Sequence, residues 1–270
     1  MVTEFAYAKI NLRLEILGRR PDGYHDLDST MQTLAWHDTL TVAETGEPGI
    51  VLECSVPELA NEDNLVWKAA ALLAREAGRE PCLRITLDKQ IFVAAGLGGG
   101  SSDGAAALRA LNRLWGLDYD VERLQNLAAR LGSDVPFLIA GGTSRCLGRG
   151  ERVVPMGDSP ETYVSLGRLP GLRLSTPEVY RAYDALPEHL QEAAAQNDLE
   201  LALMRQYPEL AELEQAALHW GSDFSIMSGS GPTVFALCAT EAGARRVAEG
   251  WQKGFGCDVM VTRYQGRLKI

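Results

Sequence analysis

The chain has 270 residues, with 26 Lys and Arg against 36 Asp and Glu, for a formal net charge of −10. That acidic balance argues against a dedicated nucleic-acid binder, which needs a basic face, yet leaves room for a small anionic ligand held by a few placed groups. At 46% hydrophobic and 23% charged the composition is that of an ordinary globular protein, long enough for one large domain or two modest ones. The longest uncharged run, Phe224 to Thr240, is interrupted by Ser, Gly and Pro and falls short of the roughly 20 apolar residues that span a bilayer. The first residues carry Glu4 and Lys9 and no apolar segment, so no signal peptide is expected and a cytoplasmic location is the default. Five cysteines, odd in number and scattered, form no CxxC pair and lie near no histidine. They read as reduced thiols rather than a metal site.

In chain order, residues 5–17 alternate apolar and polar side chains and predict a strand. Pro21-Asp22-Gly23 has the chemistry of a tight turn. Shorter extended segments are expected at 29–34 and 39–43. Asn61 to Asn64 offer N-caps for a helix over 65–77 ended by Gly78, and residues 82–87 alternate again as a strand. A glycine-rich stretch from Gly96 then changes abruptly into an Ala/Leu helical pattern that closes at Trp115-Gly116. Asp120 caps a further helix running to about Leu131. Pro155 to Pro160 reads as a linker, which places a soft boundary near residue 150 between domains 1–150 and 151–270. Beyond it, helices are expected near 178–186, 188–196, 198–205 and 208–219, with a strand, loop and helix around Gly229 to Pro232. The pattern as a whole is α+β.

Five segments carry potential chemistry. Gly96-Leu97-Gly98-Gly99-Gly100-Ser101-Ser102 combines four glycines with two hydroxyls at a helix start. Its amides can approach an anion without Cβ interference, and the helix N-terminus adds about half a positive charge. The stretch has no Walker lysine, and its spacing puts Ser101 where a dinucleotide fingerprint needs its last glycine. Phosphate binding therefore explains it better than a plain flexible loop does. Lys9 and Asn11 lie two apart on the first strand and share a face, which alone would be a solvated strand face. Asp134, in Leu131-Gly-Ser-Asp-Val-Pro-Phe137, suits either a general base or a turn cap. Met227 to Phe235 is either a tight β-turn or a substrate-lining turn. Tyr24 and His25, after Asp22-Gly23, are either an exposed turn or a stacking and titrating pair.

Together these segments, in this order along nearly the whole chain, resemble the GHMP family of small-molecule kinases. The resemblance rests on Ala8-Lys9-Ile-Asn11-Leu, Asp22-Gly-Tyr-His25, Gly96 to Ser102, Leu131 to Pro136 and Ser228-Gly-Ser-Gly-Pro232. Tyr7 and Phe92 stand where that family has proline. The resemblance implies two α+β domains with the active site in the cleft between them, and ATP and Mg2+ as cofactors. It also implies a small-molecule acceptor of the cytidine diphosphate sugar-alcohol type, and a monomer or weak homodimer. By the same resemblance, Gly96 through Ser102 wrap the ATP phosphates, with Ser101 or Ser102 near Mg2+. Asp134 takes the proton of the attacking hydroxyl and Lys9 is its electrostatic partner. Tyr24 and His25 contact the cytosine, Tyr180 stacks on its other side, and Asn11 and Thr176 touch the sugar-alcohol phosphate end. Asn64 and Lys89 match the region near the adenine, and no protein metal ligands are implied. A homoserine or mevalonate kinase would have no use for the aromatic set, and a pure nucleotide binder none for Lys9 and Asp134.

Overall fold

A computed structural model of the chain describes residues 1–157, 159–191 and 195–270. Two long antiparallel strands, β1 (Val2–Arg19) and β2 (His25–Glu44), open the chain across the expected Pro21–Gly23 turn. The segments expected at 29–34 and 39–43 are therefore one strand. Alternation fades between them because Ala35, Trp36 and His37 are all half-buried in succession. Next come β3 (Gly49–Cys54), α1 (Leu65–Glu76), β4 (Cys82–Asp88), α2 (Gly99–Trp115), α3 (Val121–Ala128), α4 (Val135–Ala140), β5 (Thr143–Gly148) and β6 (Arg152–Pro155). The first sheet has the order β3-β4-β2-β5-β6, with β1 on the other side of β2. Asp120 caps α3 as expected, accepting from Arg123 N at 2.8 Å, but the helix ends at Ala128 rather than near Leu131.

A second, antiparallel sheet follows: β7 (Tyr163–Arg168), then α5 (Thr176–Asp184), α6 (Glu188–Gln191), α7 (Glu200–Gln206) and α8 (Pro208–His219), then β8 (Phe224–Met227), β9 (Val234–Cys238), α9 (Glu241–Phe255) and β10 (Asp258–Arg263). Its strand order is β10-β7-β9-β8. The loop at Gly229 to Pro232 leads into a strand, β9, before the helix expected there begins. The helix expected over 188–196 is described through Gln191, and its residues 192–194 lie outside the described part of the chain. α7 begins at Glu200 rather than 198 because Asn197 and Asp198 are engaged elsewhere. Leu14 of β1 donates to Gln196 O at 2.8 Å and accepts from Asp198 N at 2.9 Å.

The two sheets share a buried apolar cluster. Ala8, Ile10, Leu34 and Leu97 from the first half pack with Val164, Leu166, Ile226 and Phe235 from the second. Each fully buried residue of the Val, Leu, Ile or Phe type contributes about 1.5–3 kcal/mol. Beyond β10 the chain returns to the first half, where Gln265 N donates to Thr33 O at 2.9 Å and Leu268 N to Ala140 O at 2.8 Å. A cavity of about 820 Å3 remains, lined by β1, the glycine-rich loop and Asp134 on one side and by Thr176 to Asp184 and Gly229-Ser230 on the other. Among the described residues no helix is long and apolar enough to cross a membrane.

Candidate active site

The cavity is built around β1. A register shift between Tyr7 and Lys9 interrupts the pairing with β2, and beyond it Lys9 and Asn11 point together into the cavity. Lys9 Nζ donates to Asn11 Oδ1 at 2.6 Å, and Asn11 Nδ2 donates to Ser29 Oγ at 2.8 Å. This is a buried, ordered pair rather than a solvated strand face. Lys9 Nζ also lies 3.4 Å from Asp134 Oδ2, the lysine side chain 5% exposed and the aspartate 29%. Asp134 directly precedes α4, where a side chain could cap, but it makes no cap hydrogen bond. Its carboxylate is turned to Lys9 and the open cavity, so the capping alternative fails on geometry.

The glycine loop is strapped to the same strand, Lys9 N donating to Leu97 O at 2.9 Å. Gly98 has φ +66°, and a Cβ there would come 2.9 Å from Lys9 Cγ, so glycine is what lets the lysine stem pass. α2 starts immediately after it with no side-chain cap and no acidic residue in its first turn. Its first amides are therefore left for an anion in the cavity. Of the two serines, Ser101 lines the cavity. Ser102 is buried and its hydroxyl donates to Tyr7 O at 2.7 Å, tying α2 to β1. The second glycine turn interlocks with the first: Ser228 Oγ donates to Gly96 O at 3.0 Å, and a Cβ on Gly96 would overlap Ser228 O. The turn therefore faces the site and is more than a connection.

At the other end the aromatic residues meet. His25 is buried, not an exposed turn residue. Its Nε2 lies 2.7 Å from Asp184 Oδ1, and its ring stacks on Tyr180 with centroids 5.0 Å apart and planes 25° off parallel. Burial pushes the Tyr180 phenol well above its usual range. Because these two rings touch, no base fits between them as they stand. Tyr24 is 53% exposed and carries the Arg149 guanidinium 4.9 Å from its ring centroid. Thr176 Oγ1 and Ser230 Oγ lie 2.9 Å apart across the gap between α5 and the second glycine turn.

Asn64 and Lys89 line the cavity too, with their polar atoms already engaged. Asn64 caps α1, its Oδ1 accepting from Val66 N at 2.9 Å, while its Nδ2 donates to Leu59 O at 2.8 Å. Lys89 Nζ is buried between Asp38 at 2.5 Å and Asp103 at 2.6 Å. Burial alone would lower the lysine's pKa, but the two carboxylates together hold it above its ordinary value. Burial lifts Asp103 to about 7 against the pull of Lys89, with Asp38 adding to the rise.

Residues 64–142 match the GHMP kinases N terminal domain and residues 181–257 the GHMP kinases C terminal domain. The 4-diphosphocytidyl-2-C-methyl-D-erythritol kinase of Pelotomaculum thermopropionicum is 40% identical over 94% of this chain and 94% of its own. The kinase of the same name from Bacillus pumilus is 39% identical over 98% of this chain and 97% of its own. A crystal structure of 4-(cytidine 5'-diphospho)-2C-methyl-D-erythritol kinase superposes with a TM-score of 0.82 at 35% identity, covering 98% of this chain and all of that one. The chain belongs to this family of GHMP kinases.

In this GHMP kinase the two positions that lack proline are filled by packing. Phe92 meets Trp36 edge-on with centroids 4.8 Å apart, and Tyr7 stands at the register shift in β1. Arg149, which none of the five sequence motifs singles out, enters the cavity from the β5–β6 turn. Gly148 and Gly150 flank it with φ of +72° and +112°. The Gly-Arg-Gly triplet was the available signal: two left-handed glycines around one charged residue mark a turn built to present it.

Proposed function

We propose that this GHMP kinase transfers the γ-phosphate of ATP to a hydroxyl of 4-diphosphocytidyl-2-C-methyl-D-erythritol, a step of isoprenoid precursor synthesis. The observation that carries the mechanism is the Lys9–Asp134 pair, an uncapped aspartate held 3.4 Å from a buried lysine beside the uncapped start of α2. Asp134 accepts the proton of the acceptor hydroxyl as that oxygen attacks, and Lys9 offsets the charge that spreads over the transferring group. The amides of Gly98 to Ser101 hold the phosphates. Phosphoryl transfer asks chiefly for alignment and charge neutralisation, which these groups supply. A positioned base adds about 10²–10⁴-fold.

The loop suits a polyphosphate, since a Cβ on Gly100 would meet nothing within 4 Å and no residue of the first turn of α2 is acidic. Among the described residues no group of three or more His, Cys, Asp or Glu could hold a metal. Mg2+ would be held by the nucleotide's oxygens with the Ser101 hydroxyl, and it would supply charge neutralisation on the phosphates. Tyr24, Tyr180 and His25 would form the cytosine end, with Asn11 and Thr176 toward the sugar-alcohol phosphate. Asn64 and Lys89 would shape the nucleotide end through the backbone they hold. Residues 1–150 would form the ATP-binding domain and 151–270 the substrate side. The protein would work in the cytoplasm as a monomer or weak homodimer.

ADP release by purified protein, offered the cytidyl substrate, mevalonate, homoserine or galactose in turn, tests the reading. Release with the cytidyl substrate alone is expected. Preference for any other acceptor would overturn it.

A further inference from the structure

The second glycine turn presses on the reacting residues. A Cβ on Gly229 would lie 2.9 Å from Asn11 Oδ1 and 3.2 Å from Lys9 Nζ, so any shift of this turn moves the Lys9–Asn11 pair. The turn itself is held from behind, by a segment outside the cavity. Asn197, fully buried, donates from Nδ2 to Met227 O at 3.0 Å and to Gly229 O at 2.8 Å, while its Oδ1 accepts from Leu199 N at 3.2 Å. Glu200, also buried, accepts from Met227 N at 2.6 Å. Three main-chain groups of Met227 to Gly229 are thus held by two side chains four residues or fewer apart.

The same segment is locked to β1 from its other side. Besides the main-chain bonds at Leu14, Asp198 Oδ2 accepts from Ile16 N at 2.7 Å. The segment therefore joins the strand that carries Lys9 to the turn that packs on Lys9. Beside Glu200 lies the half-buried Glu214 of α8, whose buried Oε1 has no hydrogen-bond partner. Burial raises Glu200 to about 7 and, with Glu200 beside it, Glu214 to about 9.

We infer that Asn197 and Glu200 are positioning residues for phosphoryl transfer: through Met227 to Gly229 they set the second glycine turn against Lys9, Asn11 and Gly96. Neither touches a reactant. The inference rests on the proposed reaction, because it concerns where Lys9 stands relative to the transferring phosphate. Misplacement by about 1 Å through a remote substitution can cost about 100-fold in rate.

The test uses full-length protein, with kcat expressed per nucleotide-binding site so that unfolded material does not count. Asn197→Asp removes both donations at constant shape, and Glu200→Leu removes the acceptor. Each should lower kcat about 10- to 100-fold with both KM values within about threefold of the original. Glu200→Gln keeps an oxygen facing Met227 N and should restore kcat to within about threefold. Wild-type kcat per site in Asn197→Asp or Glu200→Leu would overturn the inference, as would a loss that Glu200→Gln shares in full. If those two variants fail to fold, Glu200→Asp decides: it keeps the charge but draws the oxygen back by one methylene, so a folded enzyme with unchanged kcat overturns the inference and a reduced kcat at unchanged KM supports it. Failure of the reaction itself looks different, because the unsubstituted protein would then release no ADP with the cytidyl substrate.

Discussion

Lys9 with Asp134, and Lys89 with Asp38 and Asp103, bring the same side chains together to opposite ends. Lys89 is sealed, its neighbours at 2.5 and 2.6 Å and 0–2% exposed, with Asp38 further occupied by the amides of Gln90 at 2.5 Å and Ile91 at 2.8 Å. Lys9 holds its aspartate at 3.4 Å, and that aspartate keeps 29% of its side chain open to the cavity. A closed ion bridge fixes a loop start against a helix. A looser pair with one open carboxylate leaves room for a hydroxyl to come between base and solvent. Proximity to glycine loops and to the cavity does not separate the two lysines, but the state of their partners does.

The contrast is sharpest in turnover. Asp134→Asn should lower ADP release by about 10²–10⁴-fold while leaving ATP affinity nearly intact, and unchanged turnover would reduce Asp134 to a second structural acid. The two lysines should then part company in stability. Lys89→Met strands two buried carboxylates and should cost about 3–5 kcal/mol, read from the denaturant midpoint. Lys9→Met, whose carboxylate partner is open to water, should lose far less stability but most of its turnover. If both variants lost stability equally, the distinction between a sealed and an open pair would fail. Gly98→Val sharpens the Lys9 side: its Cβ meets the lysine stem at a φ of +66°, so nucleotide affinity measured by titration should fall well below that of the parent.

The smallest effect is the pH dependence of the sealed site. Asp103 is raised to about 7 in the folded chain from an ordinary value of 3.8, so between about pH 4 and 7 the folded state binds more protons than the unfolded one. Its contribution to stability is complete below pH 4 and is lost as the pH climbs through 7. Asp103→Asn should flatten the fall in Tm between pH 5 and 8, and an unchanged slope would show that Asp103 is ionised throughout.

Much of the site was legible because its members are local and unusual: Lys9 and Asn11 two apart on a strand, and four glycines at a helix start. Asp134 was legible in type but not in role. A capping acid and an uncapped acid look alike until Lys9, 125 positions earlier, is seen to be its partner. Asn64 and Lys89 likewise show their residue type and not their bonding, since a cap and a buried bridge depend on Leu59, Val66, Asp38 and Asp103. For the fold, long alternating strands such as β1 and the capped helices α1 and α3 stand out. β3 was missed because it is a six-residue edge strand of alternating half-exposed positions, short of the core signal that strand reading relies on. The join within β2 is hidden because Ala35, Trp36 and His37 are half-buried in succession, which erases the alternation. Asn197 and Glu200 gave no sign at all, because their task is defined by a turn some 30 residues downstream.

The return of residues 264–268 to the first half has a consequence for biosynthesis. Thr33 O and Ala140 O find their partners in Gln265 and Leu268, which leave the ribosome long after the strands and helix they complete. A nascent chain carrying all of the glycine loop, Lys9 and Asp134 still lacks the clasp that sets one sheet against the other. Of the main-chain bonds that tie the second half to the first, these are the last that synthesis makes available.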